Sequence, residues 1–266
     1  MAIQWSLVIF TTLTGAAGWM LASLAYAEVK GIQRNAAFPA TLIAIVLLIV
    51  GGCASVTHLA HPERMLAALG HPTSGIFTEA ALVGVTALFA IIYLIMLKRE
   101  GGASARKGLI IIAAVFGVLL SFMAGASYMM AARVSWNTAL LPLGYLGTAI
   151  PAGIACYLAC VCAKGDASAL GAFPKLLLVG GIVAAALAGI YMATVASADA
   201  TLFGWVLAVV ACGVLPAIMG YLMDKKPESA LALASAAAVC AIVGCIAYRA
   251  FMWVSMSTLY NFFSPM

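Results

Sequence analysis

Long runs of apolar residues recur along the whole chain and are separated by short polar segments. Each run has about 20 residues, which is enough for an α-helix to cross the hydrocarbon core of a bilayer. A helix satisfies its own backbone hydrogen bonds in lipid, so a set of such helices suffices as a fold. The pattern predicts eight membrane-spanning helices, at approximately residues 4–27, 40–58, 77–97, 108–132, 142–163, 175–197, 202–223 and 230–251.

The composition points to the same class of protein. Hydrophobic residues make up 66% of the chain and charged residues only 8%, whereas a soluble domain carries roughly 25% charged residues. The connections are too short to fold as separate aqueous domains, so residues 1–266 are expected to form one transmembrane domain. We predict an all-α integral membrane protein whose eight helices form two four-helix bundles. Chemistry that needs a water-soluble domain must then come from a partner chain.

Lysine and arginine are divided unevenly between the two sides of this arrangement. The loops after the first, third, fifth and seventh spans hold ten of the 13 basic residues, whereas the other side holds only Arg64, Arg133 and Arg249. Since positively charged loops stay in the cytoplasm, we predict a multi-pass protein of the cytoplasmic (inner) membrane with both termini on the outer side. The net charge of +5 then requires no nucleic-acid partner. The ten inner residues are Lys30, Arg34, Lys98, Arg99, Arg106, Lys107, Lys164, Lys175, Lys225 and Lys226.

The connection between the second and third spans concentrates the residues that exchange protons near neutral pH. It contains all three histidines, His58, His61 and His71, and two of the eight acidic residues, Glu63 and Glu79. Histidine is the side chain whose ordinary pKa lies nearest neutrality. On the predicted topology, this proton chemistry lies at the outer face of the membrane.

Polar residues of later spans reach the same face. Tyr128 lies near the outer end of the fourth predicted span and Arg249 near the outer end of the eighth. Ionisable groups in or beside membrane spans are costly and usually mark a functional site. Glu79 and Arg249 are the most informative of them, because each adjoins an apolar run. The alternative is that these two residues form an interhelical ion pair at the rim.

Metal centres do not fit the residue pattern. A membrane haem needs axial ligands on facing helices, and an iron–sulfur cluster needs grouped thiolates. All histidines lie in one connection, and the seven cysteines lie within spans without a C-x-x-C pair. We predict no haem and no iron–sulfur cluster in this chain. The spacing H-x2-H-x9-H-x7-E matches no zinc-type signature, so no metal site is predicted, and His58 alone would be an ordinary helix-end residue.

Oxidation of a quinol is the chemistry that this set of residues favours. A quinol gives up two protons and two electrons, so its site must accept protons, bind two ring oxygens and admit a flat apolar headgroup. His58 is the candidate base, and Glu79 is the candidate proton relay. Tyr128 and Arg249 are candidates for binding the quinone oxygen as it gains negative charge.

The segment SVTHLAHPERMLAALGHPTSGIFTEA resembles the second loop of the DmsC family, the membrane anchor subunits of dimethyl sulfoxide reductase-type complexes. The final span, CIAYRAFMWVSM, is similar to the family's arginine-plus-aromatic ending, with Arg249 at the arginine. Pro62 lies one place earlier than the family proline. Eight spans with outer termini agree with the family topology. The residues that match the loop pattern in order are Ser55, His58, Leu59, Arg64 and Glu79.

The resemblance implies a function that composition does not supply. Such anchors oxidise menaquinol at the outer face and pass electrons to a docked four-cluster iron–sulfur subunit, which feeds a molybdopterin catalytic subunit in anaerobic respiration. Carried over to this chain, His58 and Glu79 belong to the quinol site and Arg64 to its rim or to the docking surface. Arg249 is also carried over, whereas Tyr128 is placed there by the topology alone.

Three other functions remain open. A secondary transporter usually places its site at broken helices near the membrane midplane, and Pro151 and Pro216 interrupt spans without an accompanying charge. A polysulfide- or nitrite-reductase-type anchor shares the eight-helix design and differs in its partner and in the direction of electron flow. A structural tether would bind the partner without any quinol dependence.

Overall fold

The computed structural model describes residues 3–32, 34–59, 61–63, 70–165, 170–195 and 202–255. Eight helices in these ranges are long and apolar enough to cross a membrane, which confirms the prediction of an all-helical, eight-span chain. The elements are α1 (Trp5–Lys30), α2 (Arg34–Val56), α3 (Gly75–Lys98), α4 (Ala103–Ala126), α5 (Leu140–Ala163), α6 (Phe173–Val195), α7 (Leu202–Trp205), a π-helical segment (Val206–Val214), α8 (Leu215–Lys225), a short 3-10 turn (Pro227–Ser229) and α9 (Ala230–Val254).

The predicted end of the fourth span was wrong by six residues. α4 ends at Ala126, because the N–H groups of Tyr128 and Met129 bond the carbonyls three residues back instead of four. This tighter pattern closes a turn. The apolar residues 129–132 had extended the hydrophobic run beyond the helix. The turn matters for function because it directs the Tyr128 side chain into the bundle.

Alternate ends of the helices meet at two opposite ends of the molecule. We call one the His58 end, because α2 ends there just before His58; α1 begins, α3 begins and α4 ends at the same place. The basic loops after α1, α3, α5 and α8 lie at the opposite end. α1 contacts α2, α4, α5 and α9, and α5 contacts α1, α4, α6 and α9. These two helices are the most buried spans, so the core of the molecule lies along them.

Small residues allow the helices to pack with their backbones close together. Gly117 of α4 faces Gly18 of α1, and a Cβ added to Gly117 would lie 2.7 Å from the Gly18 Cα. Gly153 of α5 lies against Trp19 and Met20 of α1 in the same manner. Helices in lipid gain little from hydrophobic association, so such close van der Waals packing is their main source of attraction.

A buried ion pair joins three helices at the opposite end. Arg106 of α4 donates from Nε to Glu28 Oε1 of α1 at 3.0 Å, and the Tyr93 hydroxyl of α3 donates to Glu28 Oε2 at 2.9 Å. Arg106 also donates to the Gly101 carbonyl at 2.9 Å. The Glu28 side chain is only 6% exposed. Its two oxygens are both bonded, as a buried carboxylate requires.

The contact between Gly18 and Gly117 gives a test of this packing. We expect Gly117→Val to lower the free energy of unfolding by about 1–3 kcal/mol, because added side-chain atoms in a filled interface force the helices apart. The measurement is the thermal unfolding midpoint of the detergent-solubilised protein, followed by tryptophan fluorescence. The matched control is Gly108→Val on the same helix, where an added Cβ meets no atom within 4 Å. Equal losses in the two variants would contradict the packing role.

Candidate functional site

A cavity of about 580 Å³ opens at the His58 end among α1, α2, α3 and α4. The walls come from the first two turns of α1, the last turn of α2 with the residues after it, the first turns of α3, and the turn after α4. The cavity therefore lies near one surface of the membrane-spanning region. Its principal lining residues are Phe10, Ser55, His58, Glu79, Ser127 and Tyr128.

His58 follows the last turn of α2, and its ring is oriented by the backbone of that turn. The Nδ1 atom is hydrogen-bonded to the carbonyl oxygen of Ser55. A carbonyl oxygen only accepts, so Nδ1 must carry the hydrogen and donate it. In the neutral ring, Nε2 is then the nitrogen that accepts a proton. The contact thus prepares His58 as a base with one defined reactive atom.

Glu79 reaches the cavity from the start of α3. Ser74 begins this helix, since its side chain accepts a hydrogen bond from the Phe77 N–H at 3.1 Å, the usual arrangement at a helix N-terminus. Glu79 lies in the second turn, where Ser127 donates a hydrogen bond from Oγ to its Oε1. The other carboxylate oxygen has no hydrogen bond to the residues that the structure describes. Glu79 therefore offers one oxygen to a bound molecule.

Tyr128 closes the inner side of the cavity and is held in an aromatic cluster. Its ring centroid lies 5.9 Å from each of the Trp136, Tyr145 and Trp253 ring centroids, within the range of favourable aromatic pairing. Burial, with Tyr145 and the Glu79 carboxylate nearby, raises the pKa of the Tyr128 hydroxyl above its usual value. Tyr128 is therefore protonated at neutral pH and can donate a hydrogen bond.

Three of the five residues predicted for the site line this one cavity: His58, Glu79 and Tyr128. They come from three different chain segments. Arg64 lies outside the residues that the structure describes. His61 and His71 are exposed, and His61 pairs with Glu63 at 2.9 Å on the surface. The histidines of the connection thus differ in position, and only His58 lines the cavity.

Arg249 does not line the cavity. It is completely buried in α9, and its guanidinium donates to the Thr11 hydroxyl of α1 at 3.0 Å and to the Thr148 hydroxyl of α5 at 3.2 Å. Further bonds go to the carbonyl oxygens of Thr11, Tyr145 and Cys245. The guanidinium also lies 4.6 Å from the Tyr145 ring centroid. Tyr145 thus separates Arg249 from Tyr128 and the cavity.

The alternative that Glu79 and Arg249 form an ion pair is not what the structure shows. Glu79 is bonded to Ser127, and every partner of Arg249 among the described residues is a neutral oxygen or the Tyr145 ring. The two charges therefore remain separate, with Glu79 at the cavity and Arg249 in the core.

Sequence reasoning missed the contribution of α1 to the cavity. Leu7 and Phe10 form part of its wall, yet both look like ordinary residues of an apolar span. It also missed Ser127 as the donor to Glu79. Hydroxyl residues inside apolar runs, such as Ser127, Thr11 and Thr148, were the available signal, because hydroxyls in lipid seek partners on neighbouring helices.

Comparison with known proteins agrees with this architecture. The model of the family described as DMSO reductase anchor subunit (DmsC) matches residues 1–204, which is more than three quarters of the chain and includes His58, Glu79 and Tyr128. A sequence comparison with curated proteins returned no match. With eight apolar helices and a family match over most of its length, the chain belongs to the DMSO reductase anchor subunit (DmsC) family, the multi-pass membrane anchors of DMSO reductase-type complexes.

Proposed function

We propose that this anchor binds menaquinol in the cavity at the His58 end, oxidises it, and passes the electrons to an iron–sulfur subunit docked there. The observation that carries the proposal is the meeting of His58, Glu79 and Tyr128 in one cavity of about 580 Å³. They supply a base, a carboxylate and a hydrogen-bond donor. Its other walls, including Phe10 and Val83, are apolar and fit a flat ring system.

The two protons of the quinol have separate acceptors in this arrangement. His58 Nε2 takes the proton of one hydroxyl, since Nδ1 already donates to Ser55. The free oxygen of Glu79 takes the second proton and releases it toward the nearby surface. Tyr128 donates a hydrogen bond to a quinone oxygen as negative charge develops on it. The two electrons leave through the partner subunit.

The His58 end is the outer face in this proposal. The basic loops lie at the other end of the molecule, and such loops stay in the cytoplasm. Because the cavity is formed by helix ends, a subunit docked on the outer surface lies close to the bound ring. We propose that this partner is a four-cluster iron–sulfur subunit and that it delivers electrons to a molybdopterin catalytic subunit. All histidines of the chain lie in one connection, so a transmembrane haem path is not part of the proposal.

Arg249 has an indirect part in this function. Its positive charge lies behind the Tyr145 ring, which pairs with Tyr128 at the cavity. A buried cation at this place favours negative charge on the bound quinone oxygen without touching it. Arg249 also bonds Thr11, one residue from Phe10 in the cavity wall. We therefore assign it a positioning and electrostatic role.

The family match favours an anchor over a secondary transporter. The remaining alternative, a polysulfide- or nitrite-reductase-type anchor, would use the same cavity with a different partner. Identifying the subunits that co-purify with the chain in mild detergent distinguishes these functions. A chain that purifies alone, without iron or molybdenum, from membranes that contain the partners would contradict the anchor function.

The proposed role of His58 is tested by His58→Gln. We expect menaquinol oxidation by the purified complex to fall about 10²–10⁴-fold, because the variant lacks the base that receives the first proton. Electron donation from a reduced dye directly to the reductase subunits should stay normal, which shows that the complex is assembled. The matched control is His71→Gln, a substitution of an exposed histidine in the same connection. Normal quinol oxidation in His58→Gln would refute the assignment.

The role of Glu79 is tested by Glu79→Gln, which keeps the shape and the hydrogen bond from Ser127 but cannot take a proton. We expect the rate of quinol oxidation to fall about 10²-fold, with the affinity for menaquinone changed far less. Stopped-flow oxidation and equilibrium quinone binding measure the two effects. Glu63→Gln, at an exposed carboxylate, serves as control. An equal loss of affinity and rate would mean that Glu79 only binds the ring.

The position of the cavity also predicts the charge moved across the membrane. If protons are released outside and consumed outside by the terminal acceptor, turnover moves no net charge. We expect a potential-sensitive dye in proteoliposomes containing the complex to show no change during quinol oxidation. A potassium gradient with valinomycin provides the positive control for the dye. Sustained charging during turnover would disprove oxidation at the outer face.

A further inference from the structure

One wall of the cavity belongs to the lipid-facing surface of α3. Exposed residues recur along this helix at helical spacing, and Ile76, Ala80, Gly84 and Leu88 form one stripe. In a membrane-spanning helix such a stripe faces lipid. Ile76, Ala80 and Gly84 also line the cavity. The cavity is therefore bounded on this side by the bilayer as well as by protein.

Two glycines leave this side of the cavity open. Gly52 of α2 and Gly84 of α3 both line the cavity, and a Cβ added to either would meet no atom within 4 Å. They differ in this from Gly18, Gly117 and Gly153, whose missing side chains let helices touch. Helix packing therefore does not explain Gly52 and Gly84. Their shared property is empty space between α2 and α3.

The lining changes from polar to apolar with depth. Gly84 lies five residues beyond Glu79 along α3, which is about 7.5 Å farther into the membrane. Near Gly84, the lining residues are Val83, Val56 and Gly52, whereas the polar groups His58 and Glu79 lie toward the surface. This gradient matches a molecule with a polar head and a long apolar tail.

We propose that the gap at Gly52 and Gly84 is a lateral portal, through which an isoprenoid tail passes from the cavity into the bilayer. The portal makes the site selective for quinols that carry such a tail, because the headgroup can be seated while the tail remains in lipid. This inference rests on the proposed quinol oxidation. It adds the route of entry and the part of the substrate that the portal recognises.

The test blocks the portal without disturbing the fold. Gly84→Leu and Gly52→Leu place a side chain in open space and replace a poor helix former with a good one. The complex with its own partner subunits is reconstituted in lipid nanodiscs. Its rate of oxidation is measured with menaquinol and with menadiol, which has the same ring system and no isoprenoid tail. The matched control is Gly189→Leu, because Gly189 also has open space and lies six residues before the end of α6 at the His58 end.

The measured quantity is the ratio of the menaquinol rate to the menadiol rate. We expect this ratio to fall at least about tenfold in each portal variant, since small changes in an apolar channel discriminate substrates by this amount. The ratio should stay at the wild-type value in Gly189→Leu. An unchanged ratio in both portal variants, or an equal fall in the control, would overturn the portal while leaving quinol oxidation intact. If the wild-type complex oxidised neither quinol, the proposed function itself would fail.

Discussion

The positive charge of Arg249, buried among apolar helices, is the constraint on which this structure depends. A guanidinium in the membrane must have its hydrogen bonds satisfied by the protein, and here hydroxyl and carbonyl oxygens of α1 and α5 do so. The Tyr145 ring covers its face. α1, α5 and α9 are therefore held at one level near the His58 end. With α1 fixed in this way, Phe10 is placed in the wall of the cavity.

The cavity is formed where helices begin and end, which has consequences for its chemistry. Ser127 and Tyr128 follow α4, and His58 follows α2, so their positions are set by turns that are themselves tied to packed helices. The Ser55 carbonyl orients the His58 ring, and Ser127 orients the Glu79 carboxylate. The reactive groups are thus preorganised near the surface, where protons can leave to water and electrons can pass to a docked subunit.

Glycine serves two opposite purposes in this molecule. Gly18 and Gly117 allow α1 and α4 to touch, and a larger residue at either place would collide with backbone. Gly52 and Gly84 have nothing beside them and leave a space next to the cavity. Composition alone cannot distinguish these uses, because both are glycines within apolar helices. The distinction depends on which way each residue faces.

The sequence by itself determined that the chain is helical and spans the membrane eight times, since the length of each apolar run is a direct requirement of the bilayer. It also identified His58 and Glu79, because ionisable groups are rare and costly in such a chain. Only the tertiary structure decided that Tyr128 lines the same cavity and that Arg249 lies behind Tyr145. The direction in which a helical residue points depends on how the helix is rotated against its neighbours, and in a nearly uniform apolar span the sequence pattern does not specify that rotation.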